Sequence, residues 1–152
     1  MPVNLNSLAQ TVVAGEADAV KKAADIFAQN GIRTVMLSSP CAFHSPMMRP
    51  AAEKFAAALA GFEFTTARIP FYSNLDGRER AAINTDYLMR HMMSPVRFTD
   101  QLANMQAAGI GRFIEIGPAK VVSGLIKRTL KDVEIYNIED LKSLDKTLSA
   151  IS

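Results

Sequence analysis

Residues 41–48 (CAFHSPMM) hold the side chains of this 152-residue chain best suited to chemistry. His44 follows a strand predicted over residues 34–37. It precedes a predicted helix, for which Ser45 and Pro46 fit the N-cap and the first-turn proline. A histidine held at such a strand-to-helix turn can act as a general base near neutral pH. A capping or hydrogen-bonding role in the turn is the alternative.

A histidine base needs a nucleophile, and the usual α/β arrangement is a serine in a Gly-x-Ser-x-Gly turn. None of the serines lies between glycines at that spacing. Cys41 and Ser45 are the nearest candidates, and Cys41 fits a small buried residue better than a nucleophile. Cys41 is also the only cysteine, which excludes an internal disulfide and predicts a reducing, cytoplasmic setting.

The composition limits the class of protein. It is 49% hydrophobic and 21% charged, as in a soluble globular domain or a piece of one. We expect no secretory signal and no membrane span, because no apolar run approaches the ~18 residues that a span needs. The net charge of +2, with both signs interspersed, argues against a nucleic-acid partner. His44 and His91 lack metal-site spacing, so no metal is expected.

Strands alternate with helices in the pattern of an α/β fold with a mainly parallel sheet. Asn84 and Thr99 are the predicted caps of two of the helices. The predicted strands are 2–7, 10–14, 34–37, 113–116 (buried) and 133–136, and the segments 62–64 and 69–72 are short, apolar and β-prone. The predicted helices are 16–29, behind His44 to residue 59, 87–93, behind Thr99, across 121–126 and 141–151.

The segment Gly117-Pro-Ala-Lys120 joins a predicted strand to a predicted helix. It could bind an anion at the helix N-terminus, or it could be a structural turn. The basic residues that follow could form either a solvated face or a docking patch for an acidic partner. They are Lys120, Lys127, Arg128 and Lys131.

Four blocks of sequence together resemble the malonyl-CoA:acyl carrier protein transacylase family and the acyltransferase domains of fatty acid and polyketide synthases. The resemblance covers the C-terminal half of that family. It implies a partial acyltransferase fold, with residues 1–40 in an incomplete ferredoxin-like small subdomain and residues 41–152 in the large α/β subdomain. The blocks are 3–15, 42–48 (AFHSPMM), 94–98 (SPVRF) and 114–128 (IEIGPAKVVSGLIKR).

The resemblance also implies a reaction. A serine takes the malonyl group from coenzyme A, and the phosphopantetheine thiol of an acyl carrier protein then accepts it. His44 matches the catalytic histidine, and His91 matches the residue whose backbone carbonyl orients that ring. Phe43 matches a position that narrows the acyl pocket for malonyl. No cofactor is implied beyond these two thiol-bearing substrates.

The sequence departs from the family in two respects. No residue here can be assigned to the serine turn, the oxyanion-hole glutamine or the arginine that binds the malonyl carboxylate. Ala119 replaces the second glycine of the usual Gly-Pro-Gly-Lys turn. We therefore expect a chain that is inactive alone, that needs a serine-bearing half and that forms a homo-oligomer through uncovered apolar faces.

Two alternatives stay open. One is a non-catalytic module that docks a carrier protein or a partner subunit. The other is an independent enzyme that uses Cys41 or Ser45 as its nucleophile.

Overall fold

The computed structural model describes residues 1–152 and has the expected α/β fold, in which helices outweigh strands. Its four strands form an antiparallel hairpin, β1–β2, and a parallel pair, β3–β4. The elements in chain order are β1 Pro2–Ser7, β2 Gln10–Val13, α1 Ala17–Gln29, a 3₁₀ turn Pro46–Met48, α2 Arg49–Ala58, α3 Thr85–Met93, α4 Phe98–Ala107, β3 Arg112–Ile116, α5 Val121–Thr129, β4 Glu134–Ile138 and α6 Leu141–Ile151.

The parallel pair forms one side of the core. Parallel strands need a crossover, and α5 provides it between β3 and β4. Leu102 of α4 packs with Ile126 of α5 and with Leu130 just beyond it. Side chains of both strands close this cluster, so α4, α5 and the pair are held together by apolar burial. The contributing neighbours are Phe98, Phe113, Val133 and Ile135.

The N-terminal hairpin is attached to the segment just before α4. The Leu5 N–H donates to the Val96 carbonyl at 2.9 Å, and the Val96 N–H donates to the Val3 carbonyl at 2.8 Å. Val3 is thereby buried. The hairpin thus anchors Val96, which lies next to Pro95 in the 94–98 block.

The strand predicted at residues 34–37 is absent, and neither of the two β-prone segments forms a strand. Residues 34–37 and 62–64 form no strand, and within 69–72 only Tyr72 makes a single bridge, to Glu79. A β-prone sequence becomes a strand only when a neighbouring backbone pairs with it. Val35, Met36 and Leu37 instead remain exposed.

Two further predictions need correction. The pattern of β3 predicts a buried strand, yet the Ile116 side chain is 80% exposed, because only β4 pairs with β3 and one face lies open. Helix α4 begins at Phe98 with Arg97 at the N-cap, whereas the predicted cap is Thr99. The Arg97 carbonyl already accepts from the Gln101 N–H, so Thr99 lies inside the first turn. The Asn84 cap of α3 is confirmed by its 2.8 Å bond from the Tyr87 N–H.

Ala119 should be a strained residue of the β3–α5 turn. Its φ of 66° is left-handed, a conformation that costs an L-residue about 1–2 kcal/mol. Ala119→Gly should therefore raise the free energy of unfolding by about 1 kcal/mol, after the extra entropy of glycine in the unfolded chain. Urea denaturation measures this. Ala57→Gly, in the exposed face of α2, is the control and should lower stability by about 1 kcal/mol. Equal losses from both variants would contradict the strain.

Candidate active site

His44 lies in a turn that holds its backbone in a rare conformation. Its φ is 59°, in the left-handed region, which costs a non-glycine residue about 1–3 kcal/mol and concentrates at functional sites. Ser45 closes the turn, because its hydroxyl donates to the Ala42 carbonyl at 2.6 Å and accepts from the Met47 N–H at 3.3 Å. Ser45 is 1% exposed. It is the predicted cap, and its buried, engaged hydroxyl is not placed to act as a nucleophile.

The structure brings His44 and His91 together. Nδ1 of His44 lies 3.3 Å from the His91 backbone carbonyl oxygen, across 47 residues of sequence. A carbonyl only accepts hydrogen bonds, so Nδ1 carries the proton and donates it. The lone pair then lies on Nε2, which is the tautomer that a general base requires.

The His91 carbonyl is available because of where α3 ends. The last four carbonyls of a helix have no partner within the helix, and α3 ends at Met93. The residue four positions after His91 is Pro95, which has no N–H to donate. Pro95 therefore leaves the His91 carbonyl for His44, which gives a physical reason for the proline in the SPVRF block.

The His91 side chain is also held. The Asn74 amide nitrogen lies 2.8 Å from His91 Nε2. The rings of His44 and His91 meet edge to face, with centroids 5.8 Å apart, and the centroid of the Tyr87 ring lies 5.9 Å from that of His91. Burial, and secondarily the charge of His44, lowers the pKa of His91 below its usual value. His91 is therefore neutral at pH 7.

A braced loop carries Asn74. The Ser73 N–H donates to the Arg78 carbonyl at 2.8 Å, which closes the loop. Ser73 is fully buried, and its hydroxyl accepts from Tyr87 at 3.1 Å. The Arg80 guanidinium lies 5.1 Å from the centre of the Tyr87 ring, a cation–π distance. Residues 73–77 are recognisable in the sequence as a turn cluster, but nothing there indicates that Asn74 contacts His91.

The other candidates around His44 differ in exposure. Phe43, directly beside His44 in the chain, is 50% exposed. Cys41 is exposed and not buried as predicted, since the turn faces outward there; its carbonyl accepts from the Ser39 hydroxyl. No hydrogen bond joins Cys41 to His44, so the structure does not form a Cys–His pair.

The N-terminus of α5 is already occupied. The Glu115 carboxylate accepts from the Val122 N–H at 3.0 Å and the Ser123 N–H at 2.8 Å. Although burial would raise the pKa of Glu115, hydrogen bonding from Ser123, through its side chain and its N–H, and from the Val122 N–H holds that pKa below its usual value. The segment from Gly117 to Lys120 is therefore a structural turn, and the anion at this helix end is the chain's own glutamate.

No group of three or more His, Cys, Asp or Glu side chains is placed to bind a metal ion. None of the helices is both long and apolar enough to cross a membrane.

With this geometry established, comparison with known proteins gives the class. The acyl transferase domain family matches residues 1–146, nearly the whole chain. The chain belongs to that family.

The particular relatives are malonyl transacylases. The chain is 34% identical to the malonyl CoA-acyl carrier protein transacylase of Bacillus subtilis over 97% of its own length and 48% of that protein. The crystal structure of the Clostridium perfringens transacylase superposes with a TM-score of 0.94 at 35% identity, over 99% of this chain and 48% of the other. A malonyl-transacylase solved in complex with its type II polyketide synthase acyl carrier protein gives 0.91 at 34% identity, over 98% of this chain and 49% of that one. The chain thus spans about half the length of the relatives that it matches.

Proposed function

We propose that this chain is the histidine-bearing portion of a malonyl-CoA:acyl carrier protein transacylase. The observation that carries the proposal is the hydrogen bond from His44 Nδ1 to the His91 carbonyl, in a chain of the acyl transferase family. Because Nδ1 donates to the carbonyl, Nε2 of His44 is left free to act as the base. The acceptor that orients the ring is a neutral backbone carbonyl.

In the proposed reaction His44 accepts and returns a proton once in each of two half-reactions. In the first half, Nε2 takes the proton of a serine hydroxyl, and the serine oxygen attacks the thioester carbonyl of malonyl-CoA. The carbon–sulfur bond breaks, and the coenzyme A thiolate takes the proton from His44. In the second half, Nε2 takes the proton of the phosphopantetheine thiol, whose sulfur attacks the acyl-serine, and the proton returns to the serine oxygen.

The serine lies outside these 152 residues, since the sequence has no Gly-x-Ser-x-Gly. His91 acts only through its backbone carbonyl, which also stabilises the imidazolium that His44 becomes during each transfer. Phe43 narrows the acyl pocket.

The proposed partners are a serine-bearing segment and an acyl carrier protein, in the cytoplasm. Lys127, Arg128 and Lys131 are exposed at the end of α5 and beyond it, with Arg128 also donating to the Gln10 side chain at 3.2 Å, and they form a basic patch that suits an acidic surface on the partner. Lys120 is partly engaged, because its amino group lies 3.9 Å from Glu139. That a relative was solved with its carrier protein supports this choice of partner.

Incubated alone with malonyl-CoA, the chain should form no covalent malonyl adduct. The reason is that Ser45 is buried as a cap and Cys41 is not hydrogen-bonded to His44. Intact-mass spectrometry tests this. An added malonyl group that disappears on Cys41→Ala or Ser45→Ala would show an independent enzyme and overturn the proposal.

A docking module without chemistry is the second candidate, favoured by the same absence of a nucleophile. The two candidates differ in whether the exposed apolar surface makes the chain self-associate. Phe62, Ile69 and Ile116 are at least 66% exposed, and monomers rarely leave large apolar patches open. As the portion of an enzyme, the chain alone should form homo-oligomers in light scattering; a monodisperse monomer of 16.6 kDa favours the docking module.

A further inference from the structure

Asn74 makes two hydrogen bonds that fall on either side of Pro95. Its side-chain amide nitrogen lies 2.8 Å from His91 Nε2, four residues before the proline. Its backbone carbonyl accepts from the Arg97 N–H at 2.9 Å, two residues after the proline. A single residue of the 73–80 loop therefore holds both ends of the segment that presents the His91 carbonyl.

From this geometry we propose that Asn74 is a positioning residue, which holds the His91 ring and carbonyl where His44 Nδ1 needs them. The inference rests on the proposed function, because it assigns a role at the same site. Asn74 makes no hydrogen bond to His44, so it acts through His91.

The bond to the ring also sets its charge. An amide nitrogen only donates, so Nε2 of His91 must accept, and the single ring proton lies on Nδ1. Protonating Nε2 would break this bond and leave two donors facing each other. Asn74 thus keeps the His91 ring neutral, 5.8 Å from the imidazole that becomes positive in each half-reaction. Burial, which lowers the pKa of His91, acts in the same direction.

The loop that carries Asn74 has little freedom to move it. The Asn104 amide donates to the Gly77 carbonyl at 2.9 Å, and the Gln101 amide donates to the Tyr72 carbonyl at 2.8 Å. Both donors belong to α4. Asn104 therefore supports the same loop without touching the His91 ring, which makes it the matched control for Asn74.

The test is imidazole ¹⁵N NMR on the full chain, which reports the tautomer of each histidine. In the wild type, neutral His44 and His91 should both carry the proton on Nδ1. Asn74→Leu keeps the size of the side chain and removes the donor. We expect His91 to lose this preference and His44 to shift toward the Nε2–H tautomer. Asn104→Leu should leave both spectra unchanged.

A double-mutant cycle separates positioning from general loosening. In a His91→Ala background, Asn74→Leu should produce no further change in His44, because the two residues act through one contact. Asn74→Ala repeats the measurements if the leucine variant does not fold. Unchanged His44 signals in the folded Asn74 variant, or the same shift in Asn104→Leu, would overturn the proposal.

Activity gives a separate readout. In what we call the paired assay, this chain is mixed with the part of the Bacillus subtilis transacylase that it does not cover. The assay measures malonyl transfer to an acyl carrier protein. There Asn74→Leu should lower kcat about tenfold with KM unchanged, because it disturbs the orientation of the His44 base without removing the base, whose whole contribution is about 10²–10⁴-fold. If the wild-type mixture is associated in light scattering but transfers nothing, the proposed function fails, while the NMR spectra still decide the role of Asn74.

Discussion

His44→Ala should lower the rate of malonyl transfer in the paired assay by about 10²–10⁴-fold. This is the usual contribution of a general base, and here Nε2 of His44 is the proposed acceptor in both half-reactions. The free energy of unfolding should change little with His44→Ala, because alanine is strained at this left-handed backbone position too. Thermal unfolding of the variant checks that it is still folded, so that the lower transfer rate reflects the missing base.

His91→Gln is the matched control for His44→Ala. Only the backbone carbonyl of residue 91 is hydrogen-bonded to His44, and a glutamine side-chain oxygen can still accept from Asn74. We expect transfer to remain within about threefold of wild type, a change of less than about 1 kcal/mol in the barrier. If the two variants lost equal activity, the assignment of His91 as a backbone acceptor would be wrong.

Gly77→Ala should be the most destabilising single substitution among the loop glycines. A Cβ on Gly77 would lie 2.6 Å from Asp100 Cβ and 2.7 Å from the Asp100 backbone carbon, and its φ is +71°. Left-handed strain adds about 1–2 kcal/mol and overpacking about 1–3 kcal/mol, so we expect a loss of about 2–5 kcal/mol in the free energy of unfolding. Urea denaturation monitored by circular dichroism measures it.

Gly109→Ala separates the two causes. Gly109 also has a positive φ, of +86°, but a Cβ added there would meet no heavy atom within 4 Å beyond its own chain neighbours. Its alanine variant should lose only the backbone contribution, about 1 kcal/mol. Equal losses at both positions would show that the contact with Asp100 is relieved easily. The 73–80 loop would then hold Asn74 less firmly than the geometry indicates.

Features set by a few neighbouring residues could be predicted from the sequence. Local capping, turn and periodicity signals predict the helical turn that begins at Ser45-Pro46, the Asn84 cap, the hairpin and helices α5 and α6. The structure has all of them. The residues at 34–37 show the limit of such signals. Their β-prone pattern is genuine, but a strand also needs a neighbour, and no local signal supplies one.

The candidate site divides in the same way. His44 stands out from its place before a helix, while His91 enters only through the resemblance to the family. Its link to His44 spans 47 residues and uses a backbone atom, which leaves no mark on residue type. Asn74 is recognisable only as part of a turn, because its contact with His91 depends on how the loop packs against α3. The division into residues 1–40 and 41–152 remains a prediction.

The central claim is that this chain supplies the base for a serine on another segment. The most direct measurement is transfer of radiolabelled malonyl from coenzyme A to an acyl carrier protein in the paired assay, with each component alone as the reference. We predict transfer only in the mixture, and its loss when His44→Ala replaces the wild-type chain. No transfer in a mixture that light scattering shows to be associated, or undiminished transfer with His44→Ala, would contradict the claim.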